Sequence, residues 1–317
     1  MQLCLMVEGQ QGVTWEQWVA LARACEQHGI GTLFRSDHYL DLSGAHPELG
    51  SLDAWGTLCA LAAVTSTLRL GTLVSPATFR HPSELTKLVT TADHVSGGRV
   101  ELGLGAGWHE REHAAYGFGF ADLRTRMDVL SEQLQVVLGT WGSAGPDAPF
   151  SFAGEHYVLE ALRAEPGPVQ KPHPPLILGG SAGPRAAGLA AAYADEYNTV
   201  FASVDEARER RARIVEACER AGREPIPFSV MTTVLVADDE RSLDARAARL
   251  EAYAGLESGS LRRDPPSGWI VGTVERVVEQ MRALEEAGVS RIMCQHLLHD
   301  DLDAVAVLGE RVGPAVA

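Results

Sequence analysis

Residues 99–117 hold the densest set of groups able to do chemistry. The stretch opens as a short apolar strand and places glycines at every second position: Gly103, Gly105 and Gly107. It then delivers Trp108, His109, Glu110, Arg111, Glu112, His113 and Tyr116 in quick succession. Alternating glycines clear side chains where backbone turns tightly or a ligand comes close. The polar run behind them puts ionisable groups just past a strand's carboxyl end, where parallel α/β folds build their sites. The same residues also read as a strand-to-helix turn with a solvated first helical turn. Asp37-His38, also behind an apolar run, is a candidate acid/base pair, because a carboxylate can orient an imidazole and favour its charge. Gly179-Gly180-Ser181, between a strand and a helix, is a candidate anion cradle, with free backbone N–H groups and a hydroxyl donor. It reads alternatively as a tight turn with Ser181 as helix cap.

The elements that position these groups emerge from hydrophobic period. Strands are expected at residues 2–7, 31–34, 68–75, 99–104, 176–178, 195–200, 226–237 and 291–296. Helices are expected at 14–28, 53–65, 83–95, 123–141, 184–193, 204–221, 239–254 and 273–287, with 301–312 closing the chain. Thr14 with Gln17 three residues on is a capping box, and Gly29 and Gly288 are stop signals. Regular βα alternation with short links fits a closed (β/α)8 TIM barrel better than an open doubly wound sheet. Residues 142–174 are an insertion, with Phe152-Ala153-Gly154-Glu155-His156-Tyr157 as a small hairpin, and the whole chain reads as one domain. The carboxyl ends of the other strands add Ser75, Thr78, Arg80 and His81, then Asn198 and Thr199, then His296 and His299. Loops 41–50, 109–120, 142–174 and 255–270 would shape the pocket.

Bulk properties narrow the function. The 317 residues are 45% hydrophobic and 22% charged, with 27 Lys+Arg against 42 Asp+Glu and a net charge of −15. That balance argues against nucleic acid or an anionic membrane as partner, while leaving room for a small anion at a local positive site. The five cysteines are scattered without a CxxC and read as reduced core residues of a cytoplasmic protein. No run of about 18 apolar residues is present. His109 and His113, four apart, could share a helix face, but no third ligand stands at motif spacing and the run is not HExxH, so no metal is expected. Gly103–Gly107 lacks the GxGxxG spacing, no Lys comes after Gly179-Gly180-Ser181 as in a P-loop, and GxSxG is absent.

Taken in order, Ser36-Asp37-His38, Leu70-Gly71-Thr72-Leu73-Val74-Ser75-Pro76, residues 98–108, Glu112, residues 152–157, Pro172-His173-Pro174-Pro175-Leu176-Ile177-Leu178-Gly179-Gly180 and Ala194-Asp195-Glu196-Tyr197-Asn198 resemble the bacterial-luciferase-like flavin and deazaflavin oxidoreductases. The Ser-Asp-His triplet resembles the branch that uses coenzyme F420. The resemblance implies a TIM barrel binding F420, or alternatively FMN, at its carboxyl end, and a small-molecule substrate. It implies that Asp37 contacts the cofactor, that His38 handles a proton beside the hydride-transfer centre, and that Glu112 matches a frequent family glutamate of the site. It also implies a non-proline cis peptide at Leu73-Val74 behind the ring. Gly107 and Trp108 would stand beside the cofactor, and Gly179, Gly180 and Ser181 would hold its phosphate. Trp108 stands where sugar-phosphate dehydrogenases of the family carry an acidic residue, which argues against a sugar phosphate. The resemblance makes a homodimer the default. A deazaflavin implies hydride transfer and FMN a monooxygenase; a non-catalytic flavin or deazaflavin binder is a third reading.

Overall fold

Strand β1, Gln2–Val7, buries all of its residues after the first, and β10, Phe228–Ala237, buries all ten. Continuous burial of this kind marks strands covered on both faces, as in a parallel sheet wrapped by helices. In the computed structural model, which describes every residue except 43, 45 and 144–148, the remaining strands are β2 Thr32–Arg35, β3 Arg69–Thr72, β4 Ser75–Pro76, β5 Val100–Gly105, β6 Phe150–Ala153, β7 Val158–Leu162, β8 Leu176–Gly179, β9 Glu196–Val200, β11 Ile270–Thr273 and β12 Arg291–Gln295. The order β1-β2-β3-β5-β8-β9-β10-β12 returns to β1, every pairing parallel. The barrel is closed, and the open-sheet alternative is set aside.

Register sorts the interior into layers. Gln2 and Ser229 lie opposite Arg291, Cys4 and Met231 opposite Met293, and Met6 and Thr233 opposite Gln295. Alternate residues point inward. At the amino ends Arg291 bonds Glu101 at 2.8 Å and Glu196 at 3.0 Å, and Arg69 reaches Glu101 at 2.6 Å. Above this charged floor Cys4, Met6, Phe34, Leu73, Ile177, Met231 and Met293 form an apolar plug. The outward set, including Leu3, Leu5 and Val7, packs with the helices in the main core. Local signals behave as expected: the helix Trp15–Gln27 opens with the Thr14–Gln17 capping box, and Gly29 behind it is left-handed, with φ +80°.

Three segments differ from the sequence reading. The strand expected over 68–75 breaks after Thr72. A cis peptide joins Leu73 to Val74, and pairing resumes at Ser75 and Pro76 against Leu104 and Gly105. The loop expected at 255–270 holds the short helix Ser260–Arg263 and leads into β11, which extends the sheet beside Val234–Ala237; four residues behind Pro265-Pro266 carry no period of their own. The hairpin forms from β6 and β7, antiparallel, so residues 154–157 are its turn. That turn is tied down by Glu132, whose carboxylate accepts the amides of Glu155, His156 and Tyr157 at 2.7–3.0 Å. Within the expected loop 41–50 and insertion 142–174, positions 43, 45 and 144–148 lie outside the described residues.

Candidate active site

The segment after β2 and the helix Glu110–Tyr116 after β5 meet at the carboxyl end of the barrel. Glu112 lies in the first turn of that helix, fully buried. Its Oε2 lies 2.8 Å from Nδ1 of His38, and its Oε1 accepts the backbone amides of Tyr39 at 2.5 Å and Leu40 at 3.1 Å. Only 12% of the His38 side chain is exposed. Burial opposes the imidazolium, but the hydrogen bond and charge of Glu112, helped by Glu8 and Asp37, more than offset it, and the His38 pKa stands above its ordinary value. Burial also opposes the Glu112 carboxylate, yet the His38 bond and charge and the two amides hold its pKa below the usual carboxylate range.

The partner of His38 is therefore Glu112, and the expected Asp37–His38 pair is corrected. Adjacent residues in extended chain point to opposite sides. Asp37 turns toward the helix layer, where Arg80 takes both its oxygens at 2.6 and 3.2 Å and Ser75 Oγ donates at 2.6 Å. Ser75 Oγ in turn accepts from Trp55 Nε1 at 3.1 Å.

A second carboxylate, unremarked in the sequence, completes the mouth. Glu8 continues the inward set of β1 after Cys4 and Met6. It accepts from Gln295 Nε2 and Gln10 Nε2, both at 2.6 Å. Ser36 Oγ donates to Gln10 Oε1 and accepts the Gly9 amide. The signal that could have found Glu8 is its place one residue past an apolar strand, the rule applied to most of the other strands.

The alternating glycines clear space for protein, not only for a ligand. A Cβ at Gly103 would lie 2.2 Å from the Thr72 carbonyl oxygen and 2.9 Å from Val74 Cγ1; at Gly105 it would lie 2.8 Å from Val74 Cγ2. Gly179 borders the same side chain, at 3.1 Å. The Val74 side chain thus lies over the paired β5 and β8, and with Leu73 it forms a raised sill. Gly107 has φ +77°, and its carbonyl accepts from Arg126 Nε at 3.2 Å. Trp108 is 62% exposed, with its ring centroid 5.8 Å from that of His38 and 5.0 Å from that of His109.

Beyond Gly179, Gly180 and Ser181 are exposed. The Ala182 amide donates to Tyr197 Oη at 2.9 Å, and the helix Pro184–Tyr193 starts from Gly183 without a side-chain cap. Ser181 is thus not the helix cap. His113 has both ring nitrogens engaged, by Thr78 Oγ1 and the His109 carbonyl, so it does not pair with His109 as a ligand set. Asn198 bonds Ser229 low in the barrel. Burial pushes His296 down to about 4 and His299 to about 3. None of these three is brought to His38.

The sequence profile of luciferase-like monooxygenases matches residues 2–291. The chain belongs to that family. Its members are oxidoreductases. One relative is the F420-dependent hydroxymycolic acid dehydrogenase of Mycobacterium tuberculosis, 27% identical over 302 residues, 90% of this chain and 80% of that protein. Among solved structures, an F420-dependent secondary alcohol dehydrogenase in complex with an F420-acetone adduct superposes with a TM-score of 0.82 at 20% identity, covering 100% of this chain and 99% of the other. The oxygenating constituent of the 3,6-diketocamphane monooxygenase of Pseudomonas putida, in complex with FMN, gives 0.80 at 18%, again covering 100% and 99%. Both share the luciferase-like barrel.

Proposed function

We propose that the protein is a coenzyme F420-dependent oxidoreductase that moves a hydride between the deazaflavin and a small organic substrate. The observation that carries this reading is the His38–Glu112 pair at the barrel mouth. An imidazole whose charged form is favoured by a buried carboxylate is suited to donate a proton in a two-electron reduction. The F420-dependent relative supports the choice of cofactor.

The residues present fit such a group. The Leu73-Val74 sill, cleared by Gly103, Gly105 and Gly179, would back the ring. Exposed Gly180 and Ser181 precede a helix whose first amides lack a side-chain cap, a setting that favours a phosphate. Arg126, bonded to the Gly107 carbonyl behind the neighbouring β5, adds positive charge at the same end of the barrel. Bound there, a deazaflavin supplies or accepts the hydride. His38 commits Nδ1 to Glu112, so Nε2 carries the transferable proton. It donates that proton to a substrate oxygen or nitrogen on reduction and takes it back on oxidation. Asp37, buried against Arg80, fixes the backbone beside His38.

The test is oxidation of reduced F420, monitored by its returning absorbance, with a panel of ketones, enones and imines. His38→Ala should lower the rate for any active acceptor by about 100-fold or more. An unchanged rate removes His38 from the reaction. Oxygen consumption with reduced FMN, in place of F420 turnover, would assign the monooxygenase reading favoured by the FMN-bound structural neighbour.

A further inference from the structure

His38 is flanked by two residues that one side chain holds. Arg80, whose side chain is 9% exposed, sends Nη1 and Nη2 to the two oxygens of Asp37 and Nη2 also to Tyr39 Oη at 3.0 Å. The same nitrogen reaches Asp53, which caps the helix Ala54–Val64 through the Gly56 amide. Tyr39 Oη donates to Asp53 as well, at 3.0 Å. The Tyr39 ring stacks on Phe79, the residue before Arg80, with centroids 5.4 Å apart and planes at 12°. Arg80 is itself anchored: its carbonyl accepts from Gln133 Nε2 at 3.0 Å. His38 has no bond of its own to this network.

We propose that Arg80 is the positioning residue of the site, setting the backbone on both sides of His38 so that Nδ1 stays within reach of Glu112. A planar fork can serve Asp37, Tyr39 and Asp53 together, whereas a single ammonium cannot. Glu112 grips the Tyr39 and Leu40 amides from the opposite side. The 37–40 segment is thus clamped between one cation and one anion, and the imidazole is carried between them. The charged and titratable groups whose fields reach His38 are Glu112, Glu8, Asp37 and His109.

The inference rests on the role given to His38, but its test needs no cofactor. The His38 imidazole is titrated by NMR in the intact protein and in Arg80→Lys, Tyr39→Phe and Leu284→Ala variants. Arg80→Lys keeps the charge beside Asp37 and loses the fork. The His38 midpoint is expected to fall by about one pH unit, because burial persists while the Glu112 contact loosens. Tyr39→Phe, which keeps the stacking and removes one bond to Arg80, should shift it the same way by a few tenths of a unit, on the order of 0.3. Leu284→Ala, a core cavity in the helix Val274–Glu286 and remote from these bonds, should lower the melting temperature and leave the midpoint in place. A wild-type midpoint in Arg80→Lys, whatever its melting temperature, overturns the proposal. If Arg80→Lys does not fold, an unmoved midpoint in Tyr39→Phe overturns it and a fall supports it. Failure of the wild-type protein to bind F420 would remove the proposed function while leaving this result intact.

Discussion

Replacing Glu112 with Gln keeps the side chain's shape and removes its charge. The amide oxygen can still accept the Tyr39 and Leu40 N–H groups. The amide nitrogen then faces His38 Nδ1 where Oε2 lies at 2.8 Å. Two donors cannot share that contact, so Nδ1 must offer a lone pair and the ring must be neutral. The variant retains the burial that opposes the imidazolium and loses the bond and charge that offset it. A hydrogen bond to a charged group is worth about 1.5–3 kcal/mol, and about 1.4 kcal/mol is one pKa unit. His38 should therefore titrate about one to two units lower in Glu112→Gln. Stability carries the same signature. His38, raised on folding, contributes stabilisation that is full below its unfolded pKa near 6.5 and is lost as pH rises through the folded value. Glu112, lowered on folding, contributes stabilisation that is full above its unfolded pKa near 4.5 and is lost as pH falls through the folded value. The pair contributes most between those two values. Urea denaturation should show the largest wild-type advantage near about pH 5.5 and a smaller one near about pH 8.5. An unmoved His38 midpoint, or a larger advantage at the alkaline pH, would refute the reasoning.

Three further outcomes are expected. Gly103→Ala should lower unfolding free energy by about 1–3 kcal/mol in urea, because its Cβ would lie 2.2 Å from the Thr72 carbonyl oxygen, which the sheet holds in place. Arg291→Met leaves Glu101 and Glu196 buried without their shared cation and should cost about 3–5 kcal/mol by the same measurement; adding Glu196→Gln should recover part of the loss. Ser181→Asp should weaken F420 binding about 10-fold or more in a fluorescence titration, by setting a carboxylate beside the phosphate, with the circular dichroism spectrum unchanged.

The barrel was legible because its signals are local. Apolar runs such as Val230–Ala237, caps such as Thr14 and stops such as Gly29 each act within a few residues. The site was legible in its members but not in its pairings. Asp37 stands next to His38 in the chain and points away from it. Glu112 stands 74 residues downstream, and the pairing of β2, β3 and β5 brings it to the imidazole. Glu8 was missed because one carboxylate after a strand is quiet beside the crowded run at 108–113. Gly103 and Gly105 read as room for a ligand, whereas their nearest neighbours are Thr72 and Val74. A contact that depends on which way a break in β3 throws one valine has no expression in residue spacing.

The most direct measurement of the central claim is a side-by-side titration of the purified, cofactor-free protein with F420 and with FMN, read by fluorescence quenching under identical conditions. Saturable binding of F420, with FMN bound far more weakly, is the predicted result and fixes hydride transfer as the chemistry of the His38–Glu112 mouth. Saturable binding of FMN with none of F420 would contradict the account and move the protein to oxygen chemistry.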